Sequence, residues 1–130
     1  MPNIVLDTNV LVSALWTSTG NAATIIRLVL TGKIIPCFDS RIINEYRTVL
    51  QRPRLAFSPP DVTELLTEII GRGVSVTVSP SSIALPDEAD RKFYDVATFC
   101  EAYLVTGNMK HYPKESFIMN PADFLRVMSD

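Results

Sequence analysis

Apolar residues along this chain fall into short runs separated by longer stretches in which they recur at helical spacing, so the pattern is one of alternating strands and helices. Ile4 to Leu6 reads as a first strand that stops at a carboxylate, Asp7, and Thr8 to Leu15 as a short helix. Asn21 caps a predicted helix to about Leu30, with Ile25, Leu28 and Val29 on one face and Thr31-Gly32 as its stop. Ile34 to Phe38 reads as a second strand whose Pro36 suggests an end or an edge of the sheet. A helix starting at Asp39 or Ser40 carries Ile42, Ile43, Tyr46, Val49 and Leu50, and breaks at Arg52-Pro53-Arg54. Ser58-Pro59-Pro60-Asp61 starts the next helix, which runs to Gly71-Arg72-Gly73. Val74 to Val78 alternates and is β-branched, a third strand. After a Ser/Pro-rich loop, Asp87 to Glu101 reads as a helix with Phe93, Val96, Ala97 and Cys100 at core spacing. Tyr103 to Val105 and Phe117 to Met119 are the fourth and fifth strands, and Asn120 caps a final helix carrying Phe124, Leu125 and Val127. Strands alternating with helices imply a parallel sheet covered on both faces.

At 130 residues the chain is expected to be one domain, residues 1–130, long enough to bury a core without staples. A hydrophobic content of 47% and a mean hydropathy of +0.19 argue against disorder, yet no apolar run is long enough to span a bilayer. The first apolar run has no basic region before it and meets an acid at once, unlike a secretion signal, so a cytoplasmic location is expected. Cys37 and Cys100 lie in apolar contexts outside any CxxC, which predicts reduced buried thiols, and a single histidine makes a zinc site improbable. A net charge of −2 argues against a broad cationic coat for nucleic acid but leaves room for a basic rim around an acidic site.

Asp7 carries the most chemistry, because in a parallel α/β sheet ligands bind beyond the carboxyl ends of the strands. An acid placed there is a candidate metal ligand or general base; its plainer alternative is to cap the helix that follows. A second acid-rich turn, Asp87-Glu88-Ala89-Asp90, precedes the fourth strand, and Asp87-x-x-Asp90 also has the form of a capping box, with Asp87 better suited to capping than to ligation. Glu45 sits mid-helix at the margin of a buried face, and Asp95 points away from Asp90 on a helical wheel. Ser13 is a weak candidate for the same pocket, and His111, Trp16, Tyr112, Arg52, Arg54, Lys110 and Lys114 have surface or packing roles as their plain reading.

An ordered set of short motifs carries a family resemblance. Asp7-Thr8-Asn9 after the first strand, Asn44-Glu45-Tyr46 followed by Val49-Leu50-Gln51-Arg52-Pro53, Asp90, Leu104-Val105-Thr106-Gly107-Asn108, and the closing Asn120-Pro121-Ala122-Asp123-Phe124-Leu125 occur in the order found in PIN domains. The chain resembles most the prokaryotic group of toxin components of toxin–antitoxin pairs. The resemblance implies an α/β fold, a three-layer α/β/α sandwich with a central parallel sheet of about five strands. It also implies a Mg²⁺- or Mn²⁺-dependent ribonuclease whose carboxylates are Asp7, Glu45 and Asp90, supported by Asn9, Thr106 and Asn108. The family's fourth acid falls near Asn108, here an amide with no acid following until Glu115.

The expected function is therefore hydrolysis of RNA phosphodiester bonds, as the toxin of a pair whose antitoxin occupies the acidic groove. A homodimer is expected, with the Pro59 to Ile70 region as the interface, and no membrane partner. The alternative is a degenerate PIN domain that binds RNA or protein without cutting, motivated by Asn108. A receiver-like phosphoacceptor fits poorly, because Asp7 lies too near the N-terminus for an acidic pair.

Overall fold

The computed structural model describes residues 1–129 as a parallel five-stranded sheet packed between helices, the three-layer α/β/α arrangement expected from the sequence. The strands are β1 (Asn3–Leu6), β2 (Ile35–Phe38), β3 (Val74–Ser75), β4 (Tyr103–Val105) and β5 (Ile118–Met119). The helices are α1 (Thr8–Trp16), α2 (Asn21–Leu30), α3 (Ser40–Leu50), α4 (Pro59–Arg72), α5 (Arg91–Phe99) and α6 (Pro121–Ser129). The strand order is β3-β2-β1-β4-β5, so the chain winds outward from β1 in one direction and from β4 in the other. The boundary between the two windings lies between β1 and β4, where the connections leave a crevice at the carboxyl ends of the strands. Both pairs flanking it are in register, Leu6 opposite Val105 and Val105 opposite Met119.

The core follows the apolar pattern. Ile4, Val5, Leu6, Leu104 and Val105 are fully buried, as continuous apolar strands covered on both faces must be. Onto them pack Ile25 and Val29 of α2, Ile42 and Tyr46 of α3, Phe93 and Val96 of α5, and Phe124 of α6. Each such side chain contributes about 1.5–3 kcal/mol by leaving water. The hydroxyl of Tyr46, buried with its ring, donates to Leu6 O at 2.5 Å and so ties α3 to the last residue of β1.

Several boundaries differ from the sequence reading. Pro36 lies in an internal strand, not at an edge. It is tolerated because β3 begins pairing only opposite Cys37, so the missing N–H faces no partner. The third strand is two residues long. Val76 adds one more hydrogen bond to Phe38 O (2.9 Å), and β2 has no residues left to pair with the rest of the alternating run. The helix expected from Asp87 begins instead as a 3-10 turn, Glu88–Asp90, and becomes α-helical at Arg91. Asn21 does not cap α2, whose N-cap is Gly20, and Ser58 makes no side-chain cap at α4. Asp39 does cap α3, accepting from Ile42 N (2.9 Å), and Asn120 caps α6, accepting from Asp123 N (2.8 Å). Cys37 and Cys100 are both free thiols, the first buried and the second half-buried. No helix among the described residues is long and apolar enough to cross a membrane.

Gly73 sets how closely α4 approaches β2. A Cβ there would stand 2.4 Å from Pro36 O and 2.8 Å from Ile69 O, both backbone atoms that no rotamer change can move. Gly73→Ala is therefore expected to destabilise the fold by about 1–3 kcal/mol, read by urea unfolding; a midpoint unchanged from wild type would show that the backbone there yields freely.

Candidate metal centre

Asp7 follows the last residue of β1, and its own N–H continues the sheet by donating to Val105 O at 3.0 Å. The next residue of the neighbouring strand, Thr106, donates likewise to Met119 O at 3.0 Å. The two side chains thus leave the sheet together at the crevice. Asp7 occupies the N-cap position of α1, but its side chain makes no capping bond. Its Oδ2 instead accepts from Thr106 Oγ1 (2.8 Å), Tyr112 OH (2.9 Å) and Asn9 Nδ2 (3.4 Å). Asn9 also accepts from Gly107 N (2.8 Å), which fastens the start of α1 to the loop after β4. Asp7, Thr106 and Tyr112 are all buried.

Burial raises the Asp7 carboxyl above the ordinary range, the hydrogen bonds from Thr106 and Tyr112 pull it back, and the charge of Glu45 pushes it further up. Burial and the Asp7 charge keep the Tyr112 hydroxyl protonated, so it acts as a fixed donor.

Glu45 reaches the same region from the middle of α3. One carboxylate oxygen, Oε2, accepts a short hydrogen bond from Thr8 Oγ1, next in sequence to Asp7. The other, Oε1, pairs with Lys92 Nζ at 2.7 Å. Lys92 lies two residues beyond Asp90, so Glu45 is tied to the neighbours of both other acids.

Asp90 is buried at the junction of the 3-10 turn and α5 and makes no capping bond. Its carboxyl is pushed up to about 6, first by burial and then by the charges of Asp7 and Asp87, against the opposing influence of His111. Its Oδ2 lies 2.9 Å from His111 Nδ1, while Asn108 Nδ2 lies 2.9 Å from His111 Nε2. With the Asn108 amide donating, the imidazole carries its proton on Nδ1 and donates to Asp90. Asn108 N in turn donates to Thr106 Oγ1 (2.9 Å), closing a network from Asp7 to Asp90.

The tightest metal-compatible group among the described residues is Asp87, Asp90 and His111, whose donor atoms lie within 4.8 Å of one another. Asp7 and Glu45 stand outside that group, although Asp7 exchanges charge repulsion with both Glu45 and Asp90. The site thus divides in two: the predicted Asp7, Asn9 and Thr106 are joined by Tyr112 in one cluster, and the predicted Asp90 and Asn108 by His111 in the other. Glu45 bridges to their flanks. Asp87 caps the 3-10 turn, accepting from Ala89 N (2.9 Å).

Three participants carried little signal in the sequence. His111 had a surface residue as its plain reading, Tyr112 had packing, and Lys92 attracted no role. For Tyr112 the available sign was a lone aromatic within a polar segment; for Lys92 it was the spacing to Asp90. Lys110 shares the turn of His111, whereas Trp16 lies 64% exposed at the far end of α1, edge-on to Phe57. Ser13 makes no side-chain bond within the network.

Oxygen-rich donor sets of this kind suit hard divalent cations. The carboxyls of Asp7 and Asp90 are raised first by burial and then by neighbouring carboxylates, Glu45 for Asp7 and Asp7 and Asp87 for Asp90, and a bound cation would offset both, so the residues present fit one. A search of the curated proteins finds no match. A family model of the PIN domain matches residues 3–110, from β1 through the turn that carries Lys110. The match spans β1, Glu45, the acidic turn and the end of β4, the elements that converge on the crevice, and the chain belongs to the PIN domain family, whose fold is of nuclease type.

Proposed function

We propose that this chain is a divalent-metal-dependent endoribonuclease, hydrolysing RNA phosphodiester bonds at the crevice between β1 and β4. The observation that carries this reading is the buried Asp7 carboxylate, kept at the strand end by Thr106 and Tyr112 although Glu45 and Asp90 repel its charge. A fold built only for stability would not collect acids so unfavourably, and perturbed carboxyls at a crevice mark functional sites.

Asp7 and Asp90 would hold the ion, with Glu45 at the margin and Asp87, Asn108 and His111 within reach of Asp90. Bound there, a Mg²⁺ or Mn²⁺ supplies Lewis acidity toward the phosphoryl oxygen and a lowered pKa for an attacking water. The chain's own residues do the rest. Thr106 and Tyr112 hold Asp7 in one rotamer, and His111 does the same for Asp90. Asn9 fixes the loop after β4 to the start of α1, and Asn108 bonds Thr106 within that loop. Lys110 stands beside this network and would contact a backbone phosphate.

The biological role we propose is that of a cytoplasmic toxin, held inactive by an antitoxin that covers the crevice and acting as a homodimer. α4 buries Val62, Leu65, Leu66 and Ile69 in its own core, so dimerisation along Pro59 to Ile70 would use its outer side, where Ile70 is exposed.

A second reading, a PIN domain that binds without cutting, is favoured by Asn108, since an amide stands where the family places an acid and its side chain is turned to His111. The two readings separate in one assay. Purified protein incubated with a mixed single-stranded RNA is expected to produce internal cuts with Mn²⁺ or Mg²⁺ and none after chelation by EDTA. RNA retained on the protein but left intact in every metal would establish the binding module instead.

A further inference from the structure

Glu45 differs from the other two acids in what surrounds it. Both of its oxygens are engaged by protein donors, one by the Thr8 hydroxyl and the other by the Lys92 ammonium at 2.7 Å. The ammonium is itself well enclosed, its side chain only 15% exposed, and it makes a second bond to Ala89 O, within the acidic turn. An exposed lysine held loosely to a glutamate contributes little and is screened by salt. A lysine held by two fixed acceptors, at the edge of a group of carboxylates, instead sets the local charge.

We propose, building on the metal-dependent reading above, that Lys92 is a resident cation of the crevice: it neutralises Glu45, takes the place of a second divalent ion, and restricts the site to one. The charges support this. Asp7, Glu45, Asp87 and Asp90 carry four negative charges when ionised and Lys92 returns one positive charge, so one divalent ion leaves a single negative charge and a second would reverse the sign. Asn108 works in the same direction, because its amide adds no anionic ligand that would draw a second ion. The single ion belongs to the side of Asp90, where Asp87 and His111 also present donors, and not to the side of Glu45. Lys92 is in this sense a positioning residue, which holds Glu45 toward α5 and away from ligation.

Counting bound Mn²⁺ tests the proposal without recourse to activity. Metal-free protein would be titrated with Mn²⁺ by calorimetry, with free ion monitored by electron paramagnetic resonance. Wild type is expected to take up one Mn²⁺ per chain. Lys92→Met, which keeps the length and apolar stem but removes the charge, is expected to take up two; Lys92→Arg, which restores the cation, is expected to return to one. Circular dichroism melts of each variant establish that the counted protein is folded. Two ions in wild type, or one in folded Lys92→Met, would overturn the role of Lys92 and leave the nuclease reading standing. A Lys92→Met chain that does not fold would not decide the matter, so Lys92→Gln, which keeps a donor to Ala89 O, is counted beside it, with two ions expected and one overturning the proposal. No Mn²⁺ uptake by wild type would remove the metal-dependent reading itself, and the proposal with it.

Discussion

If Asp7 holds the proposed ion, replacing it by Asn is expected to reduce metal-dependent RNA cleavage by at least about 10²-fold, because several kcal/mol of charge stabilisation at the reacting phosphate would depend on that ion. The amide matches the carboxylate in shape and can still accept from Thr106 and Tyr112, so the network of donors around it survives. The same substitution is expected to leave thermal stability in EDTA at or above that of wild type. The sign follows from the direction of the shift. The folded Asp7 carboxyl lies above its ordinary value, chiefly through burial, so the ionised form disfavours the fold. That penalty is complete above the folded value, begins to shrink as pH falls through it, and is gone below the ordinary value, where folded and unfolded wild type are both protonated like the neutral replacement. Melting curves of the two proteins should therefore diverge at neutral pH and converge in acid. Asp90→Asn should follow the same course, converging below about 6, the value to which burial and the charges of Asp7 and Asp87 push that carboxyl. A loss of activity accompanied by a large fall in melting temperature at neutral pH would mean that Asp7 is a structural residue whose hydrogen bonds outweigh the cost of its burial.

This combination of function and instability explains which parts of the site were legible in the sequence. Asp7 could be found because it adjoins an apolar strand, and the strand end has a fixed relation to the crevice of a parallel sheet. The core was legible for a similar reason: Ile4 to Leu6 and Leu104-Val105 are unbroken apolar runs, and the faces of α2, α3 and α5 repeat at helical spacing. Asn9, Thr106 and Asn108 of the supporting network entered only through the family resemblance, and the pairings themselves were not legible, because no local pattern encodes them. Tyr112 donates to a residue 105 positions away, Thr106 to one 99 away, and Thr8 to Glu45 across 37. A lone histidine after β4 gives no sign that the turn at Met109–His111 will bring its imidazole to Asp90. Local rules also misled where tertiary partners were missing. Val74 to Val78 alternates like a strand, yet only Val74 and Ser75 have residues of β2 to pair with, and the rest packs its valines on the core as extended chain. The helix expected to reach Glu101 stops at Phe99, since Glu101 adopts a left-handed backbone (φ 51°) that turns the chain into β4.

Asp95 points away from Asp90 and serves a different purpose, with a stability effect outside the core. The carboxylate is 1% exposed and accepts from both the backbone N–H (3.0 Å) and the hydroxyl (2.5 Å) of Ser81. Arg91, one helical turn earlier, grips the same segment, donating to Ser81 O (2.9 Å) and Ile83 O (2.6 Å). Together they fasten the irregular chain between β3 and the acidic turn to α5, with Val76, Val78, Ile83 and Leu85 packed against the core beneath. Asp95→Ala removes two charge-assisted bonds to Ser81, whose exposed donors then turn to water, so a loss of about 1–3 kcal/mol is expected. Asp95→Asn, which keeps one acceptor, should lose roughly half as much. Hydrogen exchange should locate the damage: amides near Ser81 lose protection in Asp95→Ala, while those of β1 and β4 keep it, because those two strands pair with β2, with each other and with β5, and the segment reaches the sheet only through Val76 on β2. A stability change below about 0.5 kcal/mol, the level of an ordinary surface substitution, would show that Arg91 alone holds the loop. Because Asp87 lies at the end of this tethered segment, the tether also fixes where the acidic turn begins, and it links the packing of a loop to the position of Asp90 in the crevice.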